Sequence, residues 1–594
     1  MARTQGKATV NNFVGGLVSD FHELNQPQNT TVDEDNCDLD RKGSRKRRLG
    51  IDYENGFTLS DDSWALNTFG TFYTKASTWE SVENNGNRNF LVVQVGNMLY
   101  FYDLAIEPLS SGILPFTVNL DDFRVPSYYT TSPYEANVAS GKGALFVVGE
   151  AFEPFYIKYD VDANDITTTQ LTLKIRDLDL QDHDMGLTDQ FTTLTIQQKY
   201  DLFNQGWYSK CPAAGDPNSP TDGEPVFDWY FHKKHKYPQK AKSWWVGKRV
   251  GISTGATIFD PTEYDTVYVG STLAPLGSYI LDAFNQDRSK ASGIAGLPVV
   301  QESSRPTSVA FASGRVFYGF KNKLYFSQVI IDDFTVAEYC YQEADPTAEK
   351  INDLIATDGG VVPLQASGNI VAMVPFENSL IVFSTNGVWA VSGSTMGQGF
   401  SADGFSIYKI TSVGAISSRS VISVDGTPCW WAKIGIFILQ SDPAKQGFAV
   451  QNILKDKLQL YYDAIPGASK LYATGAYDRR KKVITWAYNS GTDPIDGNPY
   501  FCDRLLNYDL ILSAFYPYTL AELPTNTPRV ADVFALYDVS QSTEEENVVD
   551  ESGAIVVDEA LDDVTTDVII IGNFDNELNI GIKFLTFAKE IVGG

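Results

Sequence analysis

Short apolar stretches alternate with polar turns along most of the chain, and this pattern predicts antiparallel strands. Residues 90–95 and 98–102 flank Gly96 and Asn97, a pair typical of a two-residue hairpin turn. Residues 143–149 and 154–160 form a second pair of the same kind. From residue 305 the pattern resumes over 315–320, 323–330, 370–376, 380–385, 388–392, 421–424, 429–432, 435–439, 471–477, 482–488 and 503–518.

These strand groups recur with a pitch of roughly 45 to 50 residues, the length of one four-stranded propeller blade. A β-sandwich also gives alternating strands, but with closer turns and without the longer repeat. Closure of the sheets into a ring would protect the edges of so many short strands. The sequence therefore predicts a mainly β chain with a β-propeller-like body.

The regular pattern is lost between residues 161 and 304, which indicates an inserted mixed α/β domain. Within it, residues 277–291 have helix-like spacing that places Ile280, Leu281 and Phe284 on one face. The predicted organisation is an extended N-terminal arm (1–60), first propeller blades (61–160), the inserted domain (161–304), further blades (305–525), and an acidic C-terminal region (526–594). That last region ends in an apolar hairpin formed by residues 567–572 and 579–587.

The N-terminal arm is most distinctive over residues 11–55, where a glycine pair and a polar run precede an acidic patch and then a basic cluster. This composition is typical of an extended segment fixed to a surface by charge and backbone pairing. A disordered tail or a targeting signal would have similar charges. We predict an assembly or docking role for Gly15, Gly16, Arg45, Lys46, Arg47 and Arg48, on either the chain's own body or a neighbouring subunit.

The chain has 594 residues and a formal net charge of −28. Such an acidic protein does not coat nucleic acid, but an acidic channel wall lets a duplex slide because it does not grip phosphates. No Lys or Arg occurs from residue 530 to 582. The acidic side chains there form either a solvated loop or a channel rim or gate, for which we single out Glu544, Glu545, Glu546, Asp562 and Asp563.

A basic and aromatic patch lies in the predicted inserted domain, and its side chains suit contact with a partner. Nucleic acid is one candidate, through charge and stacking, and an acidic neighbouring subunit is the other. The patch comprises Lys233, Lys234, Lys236, Trp244 and Trp245.

The sequence offers little support for a catalytic or metal-binding site. Residues 251–255 match the GxSxG nucleophile elbow, but no helical pattern follows and all four histidines precede Ser253. His232 and His235 lie among lysines, which disfavours a cation there. The aspartates of 177–184 lack the spacing of an EF-hand, so a solvated turn is favoured over an ion site. We predict no catalytic residue, metal or cofactor, and no enzyme activity.

The five cysteines are dispersed without a CxxC pair, as expected of reduced thiols. The opening MARTQGKATVNN has no apolar core of a signal peptide. The apolar runs are too short to span a bilayer, so no membrane-spanning segment is expected.

Several stretches resemble the tail nozzle proteins, also called tail tubular protein B, of short-tailed bacteriophages (podoviruses). They are FVGGLVSDF (13–21), GSRKRRLGIDYE (43–54), and residues 264–289, 378–393, 453–466 and 475–488. The resemblance covers most of the chain from residue 11 to about residue 520, through structural rather than catalytic motifs.

This resemblance implies a structural virion protein, made in the host cytoplasm, that forms a homo-hexameric ring at the distal end of the phage tail. It implies docking below the tail adaptor protein, support of tail fibres or spikes, and contact with the host outer surface on infection. It also implies a conduit that stays closed until genome ejection and passes double-stranded DNA without specific binding. The alternative is a virion-associated propeller enzyme or receptor-binding protein acting on host surface polysaccharide.

Overall fold

A computed structural model describes the strands, turns and short helices that make up most of the body of the protein. The residues it describes are 12–22, 25–47, 51–53, 74–83, 86–103, 116–126, 135–177, 267–269, 272–274, 279–287, 299–341, 355–394, 398–442, 447–479, 481–493, 502–520, 533–539, 566–573 and 583–587.

The N-terminal part contributes three short strands, and two four-stranded antiparallel sheets follow it. The short strands are β1 (Cys37–Leu39), β2 (Arg45–Arg47) and β3 (Ile51–Tyr53). The first sheet contains β4 (Thr74–Glu83), β5 (Gly86–Val95), β6 (Met98–Asp103) and β7 (Phe116–Asn119). The second sheet contains β8 (Ala136–Gly141), β9 (Ala144–Gly149), β10 (Phe152–Asp160) and β11 (Asp165–Gln170).

Small two-stranded sheets separate the second and third of the larger sheets. Their strands are β12 (Lys174–Asp177), β13 (Val267–Val269), β14 (Thr272–Ala274), β15 (Tyr279–Asp282), β16 (Asn285–Asp287) and β17 (Val299–Gln301). Strand β12 pairs with β15, β13 with β14, and β16 with β17.

Four more four-stranded sheets follow, each with its strands in chain order. The third contains β18 (Ser308–Ala312), β19 (Arg315–Phe320), β20 (Lys323–Phe326) and β21 (Gly360–Pro363). The fourth contains β22 (Ile370–Phe376), β23 (Ser379–Ser384), β24 (Gly387–Gly393) and β25 (Phe405–Thr411). The fifth contains β26 (Ile422–Val424), β27 (Thr427–Ala432), β28 (Gly435–Asp442) and β29 (Gly447–Asn452). The sixth contains β30 (Thr474–Asp478), β31 (Val483–Tyr488), β32 (Arg504–Asp509) and β33 (Ala514–Thr519).

The seventh sheet joins the two ends of the chain. Its strands β34 (Val533–Val539), β35 (Thr566–Asn573) and β36 (Lys583–Phe587) come from the C-terminal region, and β3 pairs antiparallel with β36 as the fourth strand. The few helices in the described part are short: α1 (Gln459–Ala464), α2 (Gly467–Leu471) and the 3₁₀ turns Leu120–Phe123, Phe334–Glu338 and Ser418–Ser420.

The predicted mainly β character is confirmed, and the predicted hairpin around Gly96 and Asn97 forms between β5 and β6. The final hairpin is also confirmed, since β35 pairs with β36. Strand β11 continues the second sheet beyond residue 160, where the sequence places the start of the inserted domain.

The helix predicted over residues 277–291 is wrong, because the described part of this stretch, residues 279–287, forms strands β15 and β16. The Asp282 carboxylate accepts hydrogen bonds from the Phe284 and Asn285 amides at 2.8 and 3.1 Å, which makes a turn between the two strands. Phe284 is buried and meets the Phe320 ring edge-on. Packing against the third sheet thus overrides the local helical spacing.

Neighbouring sheets pack face to face. Consecutive residues of a central strand point to opposite sides of its sheet, so one strand contributes side chains to the core on both sides. In β27, Trp430 packs into the core cluster shared with the fourth sheet, and Trp431 packs into the cluster shared with the sixth. In β19, Phe317 packs toward the fourth sheet and Tyr318 toward the second. Both faces of these strands are therefore buried, as their continuous apolar sequences require.

The sheets lie beside one another in a cyclic order. Strand β4 lies beside β8, β8 beside β18, β18 beside β22, β22 beside β27, β26 beside β30, β30 beside β34, and β34 beside β4. The series that begins at the first sheet thus returns to it through the seventh. None of the described helices is long and apolar enough to cross a membrane.

Candidate docking site of the N-terminal arm

Residues 12–47, called the arm from here on, dock on the outer strand of the sixth sheet and on the segment that leads into it. The Leu17 amide donates to the Phe515 carbonyl at 2.8 Å, the Ser19 amide to the Lys457 carbonyl at 2.8 Å, and the Asn36 amide to the Pro517 carbonyl at 3.1 Å. The Leu17 side chain is buried in the core cluster between the fifth and sixth sheets. The arm is therefore fixed to the body of its own chain.

The Gly15–Gly16 pair lies where the arm approaches the sixth sheet most closely. Gly16 has a φ of +70°, and a Cβ placed on it would lie 2.5 Å from the Phe515 carbonyl oxygen. A Cβ on Gly15 would lie 2.5 Å from the Thr30 methyl group. Both positions need glycine, one for its backbone conformation and contact with the sheet and the other for packing within the arm.

Asp20 caps helix α1 from a distant part of the sequence. Its two carboxylate oxygens accept hydrogen bonds from the Gln459 amide at 2.8 Å and the Leu460 amide at 2.9 Å. Leu458, the residue at the N-cap position, provides no side-chain hydrogen bond. Asp20 thus satisfies two helix-terminal donors, as an N-cap residue ordinarily does, and its negative charge suits the helix N-terminus.

Asp20→Ala is expected to weaken arm docking by about 1 kcal/mol, since it removes this cap. Asp20→Asn, which keeps an acceptor oxygen, should lose less. Native-state hydrogen exchange of the Ser19 and Leu460 amides measures the effect. Equal exchange in the wild type and the alanine variant would contradict the capping role.

Two further arm carboxylates bind β33. The Thr519 hydroxyl donates to Asp35 at 2.5 Å, and Arg504 lies 3.7 Å from the same carboxylate. The Tyr518 hydroxyl donates to Asp38. In this way the acidic patch of the arm faces donors on the sixth sheet.

The basic cluster of the arm divides into residues with different roles. Arg45 points inward and pairs with Glu34 at 2.8 Å, and its guanidinium lies over the Phe13 ring. Burial raises the pKa of Glu34 despite its hydrogen bond from Thr31 and its pairing with Arg45. Burial likewise lowers the pKa of Arg45, although the Glu34 charge opposes that shift. This ion pair joins two segments of the arm to each other.

Lys46 and Arg47 are exposed on β2, and Lys46 lies 4.0 Å from Asp40. Asp40 organises the turn before β2, because the Lys42 amide and the Ser44 hydroxyl donate to it. These two hydrogen bonds lower the pKa of the Asp40 carboxyl. Arg41 completes the docking by donating to the Lys481 carbonyl at 2.7 Å.

The other sequence-predicted site residues lie outside the described residues. These are Arg48, the partner patch of Lys233, Lys234, Lys236, Trp244 and Trp245, and the acidic residues Glu544, Glu545, Glu546, Asp562 and Asp563. The same holds for His232, His235, the GxSxG stretch and residues 178–184. Within the described part of the chain, no group of three or more His, Cys, Asp or Glu side chains could hold a metal ion.

The sequence predicts no individual role for the most specific docking residues, Leu17, Asp20 and Asp38. Asp38 lies in the acidic patch of the arm, and Asp20 is an acidic residue two positions after the apolar pair Leu17–Val18. Its partner helix lies more than 400 residues away, which no local pattern can indicate.

Comparisons with known proteins identify no family for this chain. No protein-family model matches it, and no curated protein matches it. Among solved structures, the crystal structure of Citrobacter koseri AztD is similar over 85% of this chain and 95% of that one, with 10% sequence identity. Its TM-score of 0.24 is too low to carry any argument about fold or function.

Proposed function

We propose that this chain is a structural virion protein that forms the distal tail nozzle of a short-tailed phage. In this proposal it builds a ring-shaped DNA exit conduit that docks to the tail adaptor, supports fibres and stays gated until genome ejection. The observation that carries the proposal is the meeting of three stretches that resemble tail nozzle proteins. Leu17 of stretch 13–21, Leu458 of 453–466 and Trp486 of 475–488 share one buried core cluster.

Contacts between these stretches support a common structural purpose. The Ser19 amide donates to Lys457, and Asp20 caps α1, so 13–21 binds 453–466 directly. The Phe13 amide donates to the Gly43 carbonyl at 3.2 Å, which links 13–21 to 43–54. Four of the six resembling stretches therefore meet where the arm docks, as expected of a family defined by assembly rather than catalysis.

The cyclic order of the sheets supports a β-propeller body within this proposal. In the part of the chain that the structure describes, seven four-stranded antiparallel sheets, six of them in simple chain order, follow one another and return to the first. The seventh includes β3 from the N-terminal part, so the two ends of the body are held in one sheet. Closure of this kind removes open sheet edges between repeats and gives a rigid body suited to a mechanical conduit.

Net charge supports the conduit role. A chain with a formal charge of −28 repels phosphates on most of its surface, so a duplex can slide past without a large counterion-release gain. The conduit would run between subunits of a ring with closed cyclic symmetry.

The proposal is tested by the assembly state of the purified full-length chain. Mass photometry and negative-stain imaging over a concentration series are expected to show closed rings with six times the 65.6 kDa mass of the chain and a central channel. A wild-type protein that stays monomeric throughout would contradict the nozzle proposal. Cleavage of a host surface polysaccharide, abolished by one carboxylate substitution, would support the enzyme alternative instead.

A further inference from the structure

The surface around the docked arm carries an unusual share of the exposed apolar side chains. Six of the ten large apolar residues exposed in the described part of the chain lie on the arm or on the elements beside it. They are Phe13, Phe21, Val32, Ile434, Leu460 and Ile511. We call the surface formed by the arm, α1, the β27–β28 turn and the β32–β33 turn the arm face.

Hydrogen bonds show that these elements are neighbours. Asp20, next to Phe21, accepts from the Leu460 amide, and the Gln459 side chain donates to the Ile434 carbonyl at 3.0 Å. Asp509 accepts from the Ile511 amide and lies 3.9 Å from Arg41. The exposed apolar residues thus belong to one region, and clustered exposed apolar residues mark an interaction surface.

The basic end of the arm, residues 41–47, presents most of its cations outward, whereas Asp35, nearer the middle of the arm, is itself exposed and lies 3.7 Å from Arg504. The Arg41 side chain is 47% exposed and its partner Asp509 6%. On the adjacent β30–β31 turn, whose Lys481 carbonyl accepts from Arg41, the Lys481 side chain is 67% exposed and its partner Asp478 3%. Lys46 is likewise more exposed than Asp40. Lys42 and Arg47 are exposed as well. The arm face is therefore apolar, and cationic at its 41–47 end, on a chain whose total charge is strongly negative.

We propose that the arm face is the subunit interface of the ring and that its occupant is an acidic surface of a second copy of this chain. Charge complementarity supports this occupant, because each copy carries a large negative charge elsewhere. Two copies of the cationic 41–47 end repel each other, which disfavours an isologous dimer that brings these ends together. A contact between the arm face and a different surface of the next copy is heterologous, and heterologous contacts form a ring when the rotation between copies closes.

This inference rests on the proposed nozzle function and identifies the surface that assembles it. It also assigns separate roles within the basic cluster. Arg45 holds the arm together through Glu34, and Lys42, Lys46 and Arg47 face the neighbouring copy.

The test is a charge-reversal pair with a matched control in the full-length chain. Lys42→Glu with Arg47→Glu changes the arm face, and Lys323→Glu with Lys409→Glu makes the same change in net charge on the third and fourth sheets. Mass photometry over a concentration series gives the ring dissociation constant for each. The arm-face pair is expected to raise it at least about tenfold, and the control far less.

Two further measurements separate the electrostatic and apolar contributions. Added salt should weaken wild-type rings, since exposed charges are screened. Leu460→Ser, at a position 62% exposed, should weaken rings and leave the unfolding midpoint of the chain unchanged.

The outcomes distinguish this inference from the function on which it rests. Rings that form equally well in the wild type and in the arm-face variant would overturn the interface and leave the nozzle proposal standing. A loss of rings as large in the control pair would also overturn the interface, because net charge alone would then explain it. A wild-type chain that forms no rings contradicts both.

Discussion

Gly16→Ala is expected to detach the arm from the sixth sheet. Alanine at a φ of +70° costs about 1 to 2 kcal/mol in backbone conformation alone. Its Cβ would also lie 2.5 Å from the Phe515 carbonyl oxygen, which pairs with the Leu17 amide. Because this oxygen belongs to a sheet strand, it cannot move aside cheaply, and docking should weaken by about 2 kcal/mol or more.

Hydrogen exchange at the Leu17 and Ser19 amides measures this loss, since both amides donate to carbonyls of the body. Opening of the arm should become at least about tenfold more frequent, because 1.4 kcal/mol corresponds to a factor of ten. Trypsin should then cleave faster at Arg41 and Lys42.

Gly467→Ala provides the matched control. Gly467 begins α2, and a Cβ there would have nothing within 4 Å. Alanine also favours helix, so this variant should be neutral or slightly stabilised. Similar protection of the arm in Gly16→Ala and in the wild type would show that the close approach of Gly16 does not hold the arm.

Arg45→Met is expected to have the second large effect. It leaves the Glu34 carboxylate, whose side chain is 3% exposed, without its cationic partner. Removing one partner of a buried ion pair costs about 3 to 5 kcal/mol. The loss of stability in Arg45→Met is limited to the docking free energy of the arm, because the arm can leave the sheet before the body unfolds.

The double variant Glu34→Gln with Arg45→Met tests whether the unpaired charge is the cause. It removes that charge, so the protection of the arm amides from hydrogen exchange should return most of the way to its wild-type level. A double variant as poorly docked as Arg45→Met would show that Arg45 acts through its packing on Phe13 instead.

The pH dependence of Arg45→Met gives a further check. Burial raises the pKa of Glu34, so docking favours the protonated carboxyl. A group of this kind adds stability below its pKa and loses it as the pH rises through that value. Arm protection in Arg45→Met should therefore improve as the pH is lowered, before acid affects the rest of the protein.

The docking of the arm limits when the fold can be completed. Residues 12–47 dock on partners between residues 457 and 519, and β3 pairs with β36 at residues 585–587. The first set of contacts cannot be completed before residue 519 is made, and the second not before residue 587. The sixth and seventh sheets therefore depend on the N-terminal part for their final edges.

Local pattern predicted the strands well where the sequence itself sets their register. The nearly continuous apolar runs over Val483–Tyr488 and Arg315–Phe320, with turn residues at both ends, predict strands that are buried on both faces. It failed over residues 277–291, where helical spacing was real but Asp282 turns the chain and Phe284 is drawn into the third sheet. A tertiary contact decided that stretch, because short segments gain more from burial than from local propensity.

The candidate site shows the same division. From the sequence alone we predict an extended arm, a structural need for Gly15 and Gly16, and a basic cluster that follows an acidic one. The folded chain adds that Gly16 abuts Phe515, that Asp20 caps α1, and that Arg45 turns inward while Lys46 and Arg47 face out. These outcomes depend on partners more than 400 residues away or on the direction of one side chain, and neither leaves a periodic signal in the sequence.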